Sequence, residues 1–74
     1  MRFIKEYLEE KEKTLTNNEI AKQLGVSVAM ISSYKRQGFY PSLRVAMRVY
    51  DLDGVVLHPF SEESLKYELE KEKE

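Results

Sequence analysis

The sequence predicts an all-α domain of four to five short helices. Apolar residues recur at three- and four-residue spacing in several separate segments. Capping and stopping residues punctuate those segments at short intervals. The chain has 74 residues, enough for one small domain, and a domain this short is marginal unless its segments share one core or a partner adds stability.

The first helix is expected over residues 2–12. Phe3, Ile4, Tyr7 and Leu8 form its inner stripe, and Arg, Lys and Glu cover the outside. An amphipathic membrane-surface helix is the other reading, and the evenly mixed charge argues against it.

The stretch from Leu15 to Pro41 carries the most information. Thr16 and Glu19 form a capping box, and Leu15 before the cap can staple to Ile20. Ile20, Ala21 and Leu24 share one face. Gly25 stops the helix, because glycine takes the left-handed conformation cheaply. Ser27 caps the next helix at once, with Val26 and Ile31 as a second staple. Ile31 and Tyr34 should face inward. Ala21 is small enough to let the two helices meet closely at a steep angle. Two short helices, an almost loopless turn and a basic, glycine-broken loop make the pattern of a DNA-binding helix-turn-helix.

The outward face of that second helix carries Val28, Ala29, Ser32, Ser33 and Arg36, with Met30 and Lys35 at its edges. Small side chains suit a helix that approaches base edges in a major groove. Serines donate or accept, Val28 and Ala29 can pack on a thymine methyl, and Arg36 can reach a guanine or a phosphate.

Pro41-Ser42 ends the loop and caps a fourth helix, roughly Leu43 to Asp51. Leu43, Ala46, Met47 and Tyr50 follow the core spacing. Val45 and Val49 lie on another face, as core filling or as part of a dimer surface. Arg44 and Arg48, four apart, sit over phosphates or form a solvated basic edge. Asp53-Gly54 signals a turn. Val55-Val56-Leu57 is a short β-favouring run, and a lone strand needs a partner. Read on its own residues, it can be an extended tail that packs Val56 and Leu57 on its own core. Ser61 can cap a last helix, with Phe60 stapling to Leu65 and Glu62 paired to Lys66. Residues 70–74 are expected to fray.

The motif Thr16-Asn17-Asn18-Glu19-Ile20-Ala21, then Leu24-Gly25-Val26-Ser27, then Ile31, Tyr34, Gly38 and Pro41-Ser42 resembles the lambda-repressor and Cro type of helix-turn-helix. The spacing of Tyr34, Gly38 and Pro41 is similar to that of small Cro-like phage regulators, which often have tryptophan where this chain has Tyr34. The resemblance covers roughly residues 3–57. It implies a lambda-repressor-like DNA-binding domain over residues 1–60, followed by an acidic helix or tail over residues 61–74. It implies base contacts from Ser27, Val28, Ala29, Ser32, Ser33 and Arg36. Backbone contacts would come from Asn17, Lys22, Lys35, Gln37, Tyr40, Arg44 and Arg48. The family often has a longer glutamine where Asn17 stands. It also implies double-stranded operator DNA as partner and a homodimer in which the 55–57 strand pairs with its twin, with Val45, Val49, Val55, Val56 and Leu57 as the candidate dimer contacts.

The net charge of −1 is unusual for a DNA binder. Its distribution is not. Residues 14–50 carry five basic side chains against Glu19 alone, and residues 51–74 carry eight acids against three lysines. Exposed charges more than about 8–10 Å away are largely screened, so the local charge decides.

Other chemistry is poorly served. There is no cysteine, which removes disulfides and thiolate metal sites and fits a reducing compartment. A single histidine, His58, is a poor metal or catalytic candidate. No glycine-rich phosphate loop or nucleophile elbow is present. No enzyme activity, cofactor, metal or small-molecule ligand is expected. No apolar run suffices for a membrane span or secretory signal, so a cytoplasmic protein is expected. Two other assignments fit the same residues: an excisionase-like, architectural or antitoxin DNA binder, and a protein-interaction module such as an antirepressor.

Overall fold

The computed structural model describes residues 2–36 and 39–73. Five helices follow in order: α1 (Ile4–Lys11), α2 (Asn17–Leu24), α3 (Val28–Tyr34), α4 (Leu43–Asp53) and α5 (Glu62–Glu72). No strand occurs among the described residues, and the domain is all-α as expected.

The local signals act where the sequence puts them. Thr16 Oγ1 accepts from the Glu19 amide at 3.2 Å, and Glu19 Oε1 accepts from the Thr16 amide at 3.0 Å. The Thr16 amide and the Thr16 hydroxyl, both donating to Glu19 Oε1 at 3.0 Å, hold the Glu19 carboxyl below its usual range. Gly25 closes α2 with a φ of +70°, and its amide and that of Val26 satisfy carbonyls of the last turn. Ser27, Ser42 and Ser61 each cap the following helix by accepting an amide hydrogen bond at the third helical position.

One core collects Ile4, Tyr7 and Leu8 of α1, Ile20, Ala21 and Leu24 of α2, Ile31 and Tyr34 of α3, Val45 and Val49 of α4, and Leu57. Leu15 and Val26, the two staple residues before the caps, pack against it. A second cluster joins Ala46 and Met47 of α4 to Leu65 of α5, with Tyr50, Val56, Phe60 and Leu69 around it. α4 is therefore apolar on two sides and lies between the first three helices and α5, as expected of a helix with a wide apolar surface. The last helix shares in this packing through Leu65. It runs to Glu72, beyond the point where fraying was expected.

Several expectations need correction. Phe3 is not in the inner stripe. It is the extended residue before α1 and is 49% exposed, because its backbone has left the helical register. Leu43, the first residue of α4, is 39% exposed, while Ala46 and Met47 of the same stripe are buried as expected and the face carrying Val45 and Val49 turns inward as well. Val45 and Val49 are 2% and 0% exposed, which removes them from any dimer surface. Leu57 is likewise fully buried. The 55–57 run pairs with the start of the same chain in an isolated parallel bridge between Arg2 and Leu57. The Arg2 amide donates to the Val56 carbonyl at 3.0 Å, and the His58 amide donates to the Arg2 carbonyl at 2.7 Å. Val55 and Val56 are half-buried. The His58–Pro59 peptide is cis.

Asp53 does more than mark a turn. Its carboxylate accepts from the Tyr7 hydroxyl and pairs with Lys11 at 2.9 Å, tying the end of α4 to α1. The Tyr7 hydrogen bond, with help from Lys11, holds the Asp53 carboxyl below the usual carboxylate range. Burial, reinforced by the Asp53 charge, pushes the Tyr7 hydroxyl well above its ordinary value.

Candidate nucleic-acid interface

The three residues Gly25, Val26 and Ser27 are the whole connection between α2 and α3. With so short a turn, the angle between the helices is set by what packs in their shared corner. Ala21, Ile20 and Leu24 meet Ile31 and Tyr34 there. That burial leaves the opposite side of α3 to solvent. Val28 is 39% exposed and Met30 43%. Ala29, Ser32 and Arg36 are exposed, and Ser33 is half-buried. The Ser27 oxygen accepts from the Met30 amide at 3.1 Å, so its hydroxyl hydrogen remains available to an outside acceptor. Of the six candidate base-contacting residues, Val28, Ala29 and Ser32 lie on the outward face of α3 and Ser33 at its border, while exposed Ser27 precedes the helix as its cap and exposed Arg36 lies two residues past its end at Tyr34. Met30, which the sequence reading left at the edge, is fully part of the surface.

The candidate backbone contacts divide. Lys22, Tyr40 and Arg44 are exposed. Lys35 and Asn17 instead hold each other. The Lys35 ammonium donates to Asn17 Oδ1 at 3.2 Å and pairs with Glu12, so it bridges α3 to the start of α2 and the end of α1. Arg48 lies across the turn: its guanidinium is 3.4 Å from where a β-carbon at Gly25 would stand. A cation there complements the carbonyl end of α2. Arg44 and Arg48 also line a groove of about 200 Å³ with Met47, Asp51, Leu69 and Glu72, so acidic residues of α4 and α5 share their surroundings. Gln37, a further candidate, lies outside the described residues, as does Gly38.

Comparison with family models, curated proteins and solved structures gives no match for this chain. Among the described residues no group of three or more His, Asp or Glu could hold a metal ion, and no helix is long and apolar enough to cross a membrane.

One feature of the surface escaped sequence reasoning. Phe3, Phe39 and Tyr40 are 49%, 47% and 54% exposed and line one cavity of about 400 Å³. The His58 ring lies between two of them, 4.8 Å from Phe3 and 5.5 Å from Tyr40. The available signal was the adjacent pair Phe39-Tyr40, which fits no helical apolar stripe.

Proposed function

We propose that this chain is a sequence-specific DNA-binding transcriptional regulator of the lambda-repressor and Cro kind, acting in the cytoplasm as a homodimer on operator DNA. The observation that carries the reading is the outer face of α3. It is exposed, built of small residues with one flexible one, Met30, and the exposed cation Arg36 follows two residues past the helix end at Tyr34. A helix face that served only as solvated surface would more often carry glutamate and lysine. α3 lies in a major groove, with Val28, Ala29, Ser32 and Ser33 against base edges and Arg36 reaching a guanine or phosphate. Ser27 contributes its hydroxyl at the helix start. Lys22 and Arg44 contact the backbone and fix the register. Two subunits read half-sites about 34 Å apart. The domain is small, so dimerisation supplies the surface that specific binding needs.

The test is a titration of the protein against the DNA upstream of its own coding sequence, beside an unrelated duplex of equal length, at two salt concentrations. Tight, salt-sensitive binding with preference for its own DNA supports the regulator. Weak or equal binding to both duplexes refutes it and favours a protein-interaction module.

A further inference from the structure

With Val45, Val49 and Leu57 inside the core, a homodimer needs another surface. We propose that the aromatic cluster at Phe3, Phe39 and Tyr40 is the face through which two copies of this chain associate. This deepens the homodimer of the preceding reading, but it requires no DNA.

The composition of the patch favours a second copy over other occupants. Its centre is aromatic, drawn from two distant parts of the chain and backed by the His58 ring. Aromatic rings at the centre with charge at the rim is the anatomy of a protein interface. The rim carries two cations, Lys5 and Arg36, and two anions, Glu6 and Glu9. A surface that carries both signs can match itself: about a two-fold axis Lys5 of each copy meets Glu6 or Glu9 of the other. A strongly charged ligand would find its own sign there as often as the opposite one.

Size gives the strength. Three half-exposed rings offer about 100 Å² each, or roughly 300 Å² in all. A stable interface needs roughly 800 Å² from each partner. The rings make the centre of such an interface and the charged rim part of the remainder, so the association is weak and concentration-dependent. Bound side by side on DNA, two copies meet at high effective concentration, and a weak contact suffices.

Sedimentation equilibrium of the free protein over a wide concentration range tests this. The wild type should show a monomer–dimer equilibrium. Phe39→Ser should raise the dimer dissociation constant at least tenfold with an unchanged melting temperature, since Phe39 belongs to neither core cluster. The double variant Glu6→Lys/Glu9→Lys and the variant Lys5→Glu should each be monomeric alone, and an equimolar mixture should associate again. A wild type that stays monomeric at every concentration overturns the proposal. So does a Phe39→Ser variant that dimerises like wild type, or a mixture that fails to recover. Dimerisation by this face without DNA binding would sink the regulator alone, and specific DNA binding by a chain indifferent to these substitutions would sink the dimer face alone.

Discussion

Gly25 and Gly54 have nearly identical backbones, with φ of +70° and +69°, and very different neighbourhoods. This makes them a matched pair for the turn on which the α2–α3 geometry depends. A side chain in the left-handed region costs roughly 1–2 kcal/mol. Alanine also narrows the unfolded ensemble, which offsets about 0.4–1 kcal/mol of that. At Gly54 a β-carbon meets nothing within 4 Å, so Gly54→Ala measures backbone strain alone, about 1 kcal/mol net. At Gly25 the nearest atom is the Arg48 guanidinium at 3.4 Å, an ordinary contact with the end of a flexible side chain. Gly25→Ala should therefore match Gly54→Ala to within about 0.5 kcal/mol, the usual spread for surface changes. Gly25→Val should cost at least about 1 kcal/mol more, because a β-branched residue fits this region badly. In a domain of this size 1 kcal/mol moves the melting temperature by about 4–8 °C, which circular dichroism resolves easily. An unchanged melting temperature for Gly25→Ala would refute the left-handed turn. A loss far above that of Gly54→Ala would show that Arg48 is locked in place.

Other consequences are as direct. Asp53→Asn should destabilise by about 1 kcal/mol at pH 7, a figure already discounted for partial exposure. The Asp53 carboxyl is held below its unfolded value of about 3.9, so its stabilisation is present above pH 4 and is lost as pH falls through the lower folded value. Urea unfolding should separate wild type and variant at pH 7, and the gap should narrow as pH falls below 4; a gap independent of pH would remove the charge from the explanation. Leu65→Ala, at a fully buried position, should cost about 2–5 kcal/mol within a single unfolding transition. A separate early transition for α5 would contradict its place in the core. Arg36→Ala should weaken specific DNA binding by about 1–3 kcal/mol if it reads a base, and an equal loss on every duplex would restrict it to phosphate. Lys35→Met should leave the salt dependence of DNA binding unchanged, because the ammonium is held by Asn17 and Glu12. A slope smaller by about 1.8, from one phosphate contact in each subunit of the dimer, would mean that Lys35 touches a phosphate after all.

The parts of this fold that were legible in the sequence are those decided within a few residues. The Thr16–Glu19 box, the Gly25 stop and the Ser27, Ser42 and Ser61 caps depend on neighbours in sequence, and each is found where expected. α4 shows where that logic ends. Residues 43, 46, 47 and 50 form one apolar stripe, and 45 and 49 form another. Spacing alone does not say which stripe meets which partner. The structure uses parts of both: Val45 and Val49 face the first three helices, Ala46 and Met47 face α5, and Leu43 is left outside. The partners of Lys35 and Asp53 were illegible for the same reason. Glu12 and Asn17 are 23 and 18 positions from Lys35, and Tyr7 is 46 from Asp53. Only the packed helices bring them together. Sequence marked the candidate surface of α3 well, because a helix with one apolar stripe must expose the other side.

The electrostatics of the candidate interface follow from the same packing. Counted along the chain, residues 14–50 are strongly basic. Counted on the molecule, the excess is smaller. Lys35 is consumed in bridging three helices, Arg48 lies at the carbonyl end of α2, and Arg44 shares its groove with Asp51 and Glu72. Lys22, Arg36 and Arg44 remain as exposed cations away from the turn. Three phosphate contacts per subunit would give a dimer a salt slope near −5, shallower than the roughly −9 expected if all five cations took part. A protein with so few phosphate contacts binds random DNA weakly. Random DNA is the main competitor of an operator, so weak backbone binding raises the share of discrimination carried by the base edges. In that arrangement the small side chains of α3 and the pairing of two subunits would do the selecting, and a net charge of −1 would not oppose the proposed DNA binding.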